Sequence, residues 1–291
     1  MKIALAYHFD ENNPPIWSTP SGLGISFRKK GHFVQEYGFD PQNCNLEKLI
    51  DETNKYDLIF FCLAGPSESF DRELKKLKNS TKTKIFMETG DDVPWSNYHH
   101  TRVHYLDVIF TPDLRCNVQY IIKGLRSYWL PCWCDDEIFY YKPQNTRQNK
   151  IVTTCGDRPG TQILSQIYGN NFVNSKVWNY ENTDYFNSGT IVYQYARYGE
   201  ITRRLFETGG CKNAILTNRI GADTGIYKLF VDNEDICYFS DEKELIEKAD
   251  KLYNDEEFRN KISENMYNKI QKYHLISNRV DSILNVYNNL T

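Results

Sequence analysis

The sequence lacks several features that would place it in a special class of protein. No apolar run approaches the roughly 18 residues that are needed to cross a membrane. The stretch 1–7 is too short an apolar run for a secretory signal. The net charge is only −3, so the chain is not a polycation that would bind nucleic acid through bulk charge. We therefore expect a cytoplasmic protein without a membrane span.

The eight cysteines show neither a disulfide framework nor a metal-site spacing. Cys132 and Cys134 form the only close pair in the sequence, and no second pair completes a zinc site. We expect buried, reduced thiols and no metal ion. With 40% hydrophobic and 25% charged residues over 291 positions, the chain has a globular composition and can form two compact domains.

Strand and helix signals alternate through the first half of the sequence. The apolar stretches 2–7, 56–64, 84–87 and 106–111 predict buried strands, and charged segments of helical periodicity lie between some of them. The order strand, helix, strand predicts a doubly wound parallel sheet. A similar alternation begins again at 150–155, so the fold class is α/β with two successive halves.

A polar loop is predicted between the first strand and the first helix. It contains Trp17 and ends at Gly22 and Gly24, before a helix that begins near Ile25. A single Gly-x-Gly is as often a plain turn as a phosphate site. Trp17 offers a stacking surface for a ligand, or it packs against its own loop.

Arg204 and Glu207 lie three residues apart in a short predicted helix, and therefore on one helical face. A guanidinium suits a diphosphate, and a carboxylate can accept hydrogen bonds from two neighbouring sugar hydroxyls. The alternative is an ordinary exposed ion pair, which would contribute little. Gly209 and Gly210 are expected to end the helix because glycine adopts positive φ at low cost.

This segment, Arg204-Leu-Phe-Glu207 followed by a glycine-cysteine turn and an apolar strand, resembles the donor-binding segment of GT-B glycosyltransferases. The likeness is greatest to the CgeB-like (spore-maturation) group. The stretch 128–139 resembles the crossover between the two GT-B domains. Gly199 stands eight positions before Glu207, where the wider family has a second glutamate, and Glu200 is its neighbour.

The resemblance implies two Rossmann-like domains with a cleft between them and a C-terminal helix that packs back on the first domain. The expected boundaries are 1–135 for the acceptor domain, 136–275 for the nucleotide-sugar domain and 276–291 for the returning helix.

The resemblance also assigns roles to individual residues. In this fold class a basic residue at the position of Arg158 commonly contacts the donor diphosphate. Arg204 is expected to contact the diphosphate as well. Glu207 is expected to hold the ribose, and Tyr180, at the end of a predicted strand, to approach the nucleobase. The loop with Trp17, Gly22 and Gly24 would face the acceptor.

The turn after the strand 84–87 carries candidates for a general base. Open α/β sheets bind ligands beyond the carboxyl ends of their strands. Asp91 and Asp92 are adjacent there, and only one is expected to face a cleft; we favour Asp92. Either aspartate could instead cap the turn. His99 is a rival base, although a single histidine is more often structural.

The sequence therefore predicts a hexosyltransferase of the glycosyltransferase class that is independent of metal and cofactor and uses a UDP-sugar as co-substrate. Polysaccharide, protein, small molecule and hydroxymethylated DNA base stay open as acceptors, the last as in phage DNA modification. A nucleotide-sugar epimerase or hydrolase on the same scaffold is one alternative. A non-catalytic nucleotide-sugar-binding protein is another.

Overall fold

The computed structural model describes residues 1–9, 19–63, 65–177 and 181–290. Two compact units account for them. The first unit comprises Met1–Pro131 together with Val280–Thr291, and the second unit comprises Cys132–Arg279. Trp17 and Tyr180, two of the predicted site residues, lie outside the described residues.

The first unit contains a six-stranded parallel sheet with the strand order β2-β1-β3-β4-β5-β6. Its strands are β1 (Lys2–Tyr7), β2 (Phe33–Gly38), β3 (Leu58–Cys62), β4 (Lys84–Glu88), β5 (Val108–Thr111) and β6 (Ser127–Trp129). Its α-helices are α1 (Thr19–Lys29), α2 (Glu47–Glu52), α3 (Glu68–Ser80), α4 (Ser96–His99) and α5 (Leu114–Ile122), and short 3₁₀ helices span Thr53–Lys55 and His100–Tyr105.

Helix α3 shows how the sequence builds this unit. Ser67 caps the helix, because its hydroxyl oxygen accepts a hydrogen bond from the Phe70 amide at 3.1 Å. Phe70, Leu74 and Leu77 follow at helical spacing and are fully buried against the sheet. All five side chains of β3 are buried as well, as expected for a central parallel strand that is covered on both faces.

The predicted glycine loop before Ile25 is wrong. Helix α1 begins at Thr19, so Gly22 and Gly24 lie inside the helix and are buried. A Cβ atom on Gly24 would lie 3.0 Å from Glu36 Oε1 and 3.1 Å from Leu5 Cδ2. Gly24 is therefore suited to close packing of α1 against β1 and β2, and neither glycine forms a ligand-facing loop.

The second unit contains a five-stranded parallel sheet with the order β11-β10-β9-β7-β8. Its strands are β7 (Gln148–Thr153), β8 (Phe172–Asn174), β9 (Gly189–Gln194), β10 (Ala214–Asn218) and β11 (Cys237–Phe239). The helices that follow β7 in the chain are α6 (Thr161–Tyr168), α7 (Glu181–Ser188), α8 (Arg203–Gly210), α9 (Ile226–Leu229), α10 (Glu242–Asn254), α11 (Glu256–Tyr273) and α12 (Ile276–Asn288), and 3₁₀ helices span Gly169–Asn171 and Ala222–Thr224.

The chain leaves the second unit within α12, whose residues from Val280 onward belong to the first unit. There Lys30 Nζ lies 2.7 Å from Asp281 Oδ1, and the rings of Phe86 and Tyr287 lie 6.2 Å apart. The C-terminal helix thus packs on the first unit, as the resemblance predicts.

Strand order in the second unit fixes where a ligand can bind. Strand β7 comes first in the chain; β8 then pairs with one side of it and β9 with the other. The loops after β7 and β9 therefore diverge at the carboxyl edge of the sheet and leave a crevice there. Both units have this doubly wound, Rossmann-like arrangement, which confirms the predicted fold class. No helix in the described part of the chain is long and apolar enough to cross a membrane.

Candidate functional site

A cavity of about 310 Å³ lies at the carboxyl edge of the second sheet, where β7 and β9 diverge. We call it the switch-point cavity. Its walls come from the loop after β7, the end of β9 with the loop that follows, and the start of α8. The lining residues are Thr154, Cys155, Arg158, Gln194, Tyr195, Arg197, Glu200, Thr202, Arg203, Arg204 and Glu207.

Three residues that the sequence singled out meet in this cavity. Arg158 comes from the loop after β7, whereas Arg204 and Glu207 come from α8, more than 40 positions later. Only the parallel sheet brings these segments together. The structure therefore places the predicted diphosphate ligands and the predicted ribose ligand at one site.

Helix α8 places the Glu207 side chain in the interior of the second unit and not in solvent. Leu205 and Phe206 are buried on the inner side of the helix, and Glu207 itself is only 7% exposed. Arg204 Nε lies 3.9 Å from Glu207 Oε2. Burial raises the pKa of Glu207, and the Arg204 and Arg203 guanidinium groups oppose that rise. The alternative of an ordinary exposed ion pair is therefore wrong.

The two glycines at the end of α8 serve close packing and do not end the helix by adopting positive φ. The helix runs through both of them, and Lys212, after Cys211, is the residue with positive φ, at 60°. A Cβ atom on Gly209 would lie 2.9 Å from Ile270 Cγ1, and one on Gly210 would overlap Cys134 Sγ. These contacts seat α8 directly on α11 and on the segment that contains Cys134.

The switch-point cavity is lined by four guanidinium groups and two carboxylates, which gives a formal charge of 4 − 2 = +2. Sequence reasoning identified Arg158 and Arg204 but missed Arg197 and Arg203. The Arg203 guanidinium lies 4.4 Å from the ring centroid of Trp133, and the Arg197 guanidinium lies 4.9 Å from that of Tyr198. Such a cluster of cations favours a multiply charged anion such as a diphosphate.

A wider concavity of about 650 Å³ lies beside α6 and β8 in the same unit. It contains one acidic residue, Asp157, and one basic residue, Lys176, among amide and hydroxyl side chains. Among the described residues that were predicted for donor binding, Arg158, Arg204 and Glu207 do not line it. The charge of its lining therefore makes the smaller switch-point cavity the better candidate for binding an anion.

Asp92, the favoured base, is buried inside the first unit. Its side chain has no exposed surface, and the Tyr120 hydroxyl donates a hydrogen bond to Asp92 Oδ1 at 2.5 Å. Burial raises the pKa of Asp92 to about 6. A carboxylate without solvent access cannot reach an acceptor hydroxyl in this arrangement. Asp91 is the exposed member of the pair.

His99 is equally buried and belongs to the same polar network. Its Nε2 lies 3.8 Å from Asp92 Oδ1, and Arg102 Nη1 lies 2.8 Å from its Nδ1. Arg102 in turn donates to Asp71 Oδ1 at 2.6 Å. Burial and the neighbouring Arg102 cation lower the pKa of His99 to about 3, so the ring is neutral near pH 7. The network fixes the turn that carries Asp91 but does not present a base.

Potential metal ligands are dispersed in the described ranges. No group of three or more His, Cys, Asp or Glu side chains is arranged there to hold a metal ion.

Comparison with known proteins identifies a family match in the second half of the chain. Residues 147–285 match the family model described as glycosyl transferase-like, and this segment contains the whole switch-point cavity. No match was found among curated proteins.

Solved structures match over both units. Sucrose-phosphate synthase from Thermosynechococcus elongatus superposes with a TM-score of 0.70 at 10% identity, covering 99% of this chain and 98% of its own. Anabaena HepE in complex with UDP-glucose gives 0.68 at 12% identity, with 99% and 100% covered. An α-glucosyltransferase in complex with UDP and a 13-mer DNA gives 0.65 at 14% identity, with 99% and 100% covered. The chain has the GT-B glycosyltransferase fold.

Proposed function

We propose that the protein is a glycosyltransferase that moves a sugar, of the hexose type, from a UDP-sugar to a hydroxyl acceptor. The observation that carries the proposal is the meeting of Arg158, Arg204 and Glu207 in one cation-rich cavity at the switch point of the second sheet. The GT-B fold and the glycosyl transferase-like match over 147–285 support it. The UDP-glucose and UDP complexes of two structural neighbours favour a uridine nucleotide. Of the families of this fold, we retain the CgeB-like group for the chain on its Arg204-Leu-Phe-Glu207 segment.

On this proposal Glu207 accepts hydrogen bonds from the two ribose hydroxyls of the donor. Its burial makes those bonds strong, because a buried carboxylate has little water to compete for them. Arg204, one helical turn away, favours the charged form of Glu207 and adds positive charge to the cavity wall. The carboxylate therefore recognises the nucleotide portion of the donor and not the transferred sugar.

The guanidinium groups act on the leaving group. When the bond between the sugar and the diphosphate breaks, negative charge develops on the departing oxygen. Arg158 and its neighbouring arginines, fixed around the cavity, stabilise that charge without rearrangement. This electrostatic assistance needs no metal ion, and we propose a metal-independent reaction without a further cofactor, in the cytoplasm.

Asp91 is the better candidate for the acceptor side. It is exposed, whereas Asp92 and His99 are buried, and the Tyr120–Asp92 hydrogen bond holds the turn on which it lies. An exposed carboxylate can accept the proton of an acceptor hydroxyl or orient it. The acceptor is a polysaccharide, protein, small molecule or modified DNA base. The DNA complex of one structural neighbour supports testing the last class, as a phage-type DNA modification.

A donor panel with a turnover assay tests the proposal. We expect a UDP-sugar to raise the melting temperature, because a ligand that binds only the folded state stabilises it by mass action. Glu207→Ala is expected to remove that shift. An unchanged shift in the variant would contradict the ribose assignment.

Release of UDP separates the candidate functions. A transferase releases UDP faster when an acceptor is added. A hydrolase releases it without acceptor, an epimerase converts the donor without releasing UDP, and a binding protein does neither. Acceptor-independent turnover, or binding without turnover for every acceptor class, would overturn the transferase proposal.

A further inference from the structure

Arg203 lines the switch-point cavity and contacts Trp133, and the sequence assigns neither residue a role in donor binding. We propose, resting on the function above, that Arg203 is a further ligand of the donor diphosphate and that Trp133 positions it. The Arg203 guanidinium lies 4.4 Å from the centroid of the Trp133 ring, within the range of a cation–π contact. The indole is only 1% exposed, so the ring that the Arg203 cation contacts is buried.

The segment that carries Trp133 is hydrogen-bonded to the residues before α8. The Cys132 thiol donates a hydrogen bond to the backbone oxygen of Ile201 at 3.5 Å, which joins the segment before Trp133 to the residues that lead into the helix. Arg203 is the first residue of α8 and lines the cavity from there. Both the ring and the guanidinium therefore lie on neighbouring segments of the second unit that this hydrogen bond joins.

Arg203 differs from Arg204 in its partners. Arg204 lies 3.9 Å from the Glu207 carboxylate, so part of its charge is already balanced. In the described part of the chain, no salt bridge within 4.0 Å joins Arg203 to an acidic side chain. A guanidinium that contacts a cavity and stacks on an aromatic face keeps its hydrogen-bond donors for an anionic ligand.

The contact with Trp133 also lowers the entropy cost of binding a phosphate. An arginine that moves freely loses side-chain entropy when it binds a phosphate, whereas one that is already in contact with an indole ring loses less. Its planar donor fork can then meet two phosphate oxygens at once. Trp133 thus acts through Arg203 and is a positioning residue, without contact to the ligand itself.

The test compares UDP with UMP, which share the base and ribose but differ by one phosphate. In isothermal titration of the full chain, Arg203→Ala is expected to weaken UDP binding about ten- to a hundred-fold, as for a lost charged hydrogen bond. UMP binding is expected to change much less. Glu207→Ala, the matched control, is expected to weaken both nucleotides because both carry the ribose that Glu207 is proposed to hold.

Two conservative variants separate position from charge. Arg203→Lys keeps the charge but loses the planar fork, and Trp133→Phe keeps an aromatic ring with a smaller face. Each variant is expected to have a lower preference for UDP over UMP. The far-UV circular dichroism spectrum of each should be that of the folded protein.

Equal loss of UDP and UMP affinity in Arg203→Ala, or no loss of either, would overturn the assignment and leave the proposed function intact. Absence of binding of UDP, GDP, ADP and dTDP by the unaltered protein would overturn the proposed function itself.

Discussion

Tyr120 and Asp92 form a buried hydrogen bond that spans 28 positions of the chain, from α5 to the turn after β4. Asp92 Oδ2 has no hydrogen-bond partner within the described residues and is inaccessible to solvent. Replacing Tyr120 by Phe removes the donor to the other oxygen and leaves the carboxyl group without that compensation. We expect Tyr120→Phe to lower the free energy of unfolding by about 1–3 kcal/mol. Urea denaturation measures this, with the exposed Tyr98→Phe as the matched control, which is expected to change little.

Burial of Asp92 makes stability depend on pH in a defined direction, although the Tyr120 hydrogen bond opposes the shift. The pKa of Asp92 is about 6 in the folded protein, against an ordinary value of 3.8. Between these values the folded state retains a proton that the unfolded state has lost, so stability falls as the pH rises from about 4 to 6. Asp92→Asn cannot titrate. Its stability relative to the unaltered protein is therefore expected to rise by roughly 3 kcal/mol across that window and then stay level. A constant difference from pH 4 to 7 would contradict the pKa assignment.

Asp91→Asn is expected to separate donor binding from transfer. The substitution removes an exposed carboxylate from the first unit, and Asp91 is not among the residues that line the switch-point cavity. If Asp91 activates the acceptor, UDP release in the presence of acceptor should fall about a hundred-fold or more, as when a general base is lost. The melting-temperature shift given by the UDP-sugar should be retained. Normal turnover in this variant would assign the base elsewhere.

Cys155 provides a chemical probe of the cavity. It is the one half-exposed cysteine among eight, since the other seven are buried, and it lines the switch-point cavity. A maleimide reagent is therefore expected to label one site under native conditions. A bound UDP-sugar should slow that labelling by covering the thiol. Mass spectrometry of the labelled peptide follows the rate, and Cys155→Ser should abolish it. Equal rates with and without donor would show that the donor binds elsewhere.

Gly210→Ala tests why α8 ends in two glycines. The added methyl group would overlap Cys134 Sγ and lie 2.9 Å from the backbone oxygen of Phe139. We expect a loss of about 1–3 kcal/mol in the free energy of unfolding, typical of overpacking in a close-packed interior. In the double variant with Cys134→Ala the two losses should be less than additive, because the smaller side chain leaves room for the methyl group. Fully additive losses would contradict this packing account.

The residues of the candidate donor site could be predicted from the sequence because neighbouring positions in the chain identify each of them. Arg158 follows a strand that the apolar pattern identifies, and Arg204 and Glu207 share a helical face, so strand order alone was needed to bring them together. Arg203 was missed because its partner, Trp133, lies 70 positions earlier, and nothing in the spacing links the two.

The choice between Asp91 and Asp92 depended on distant contacts in the same way. The sequence analysis favours Asp92 over its neighbour Asp91, but Tyr120, which bonds to the buried Asp92, comes from a later helix. Gly22 and Gly24 likewise look like a loop, because the close approach of α1 to Leu5 and Glu36 is visible only in three dimensions. Sequence reasoning therefore identified most strands and the residues of the candidate site, and it failed where a long-range contact determines a side chain's surroundings.

The divergence of β7 and β9 has a consequence for how such a molecule can evolve. The strands are built from fully buried side chains such as Ile151 and Val192, whereas most of the cavity wall consists of residues that follow them in loops or at the start of a helix. Selection can then alter ligand preference by exchanging wall residues while the hydrophobic interior is left intact. On this account, chains that share only 10–14% of their residues with this one can retain its fold.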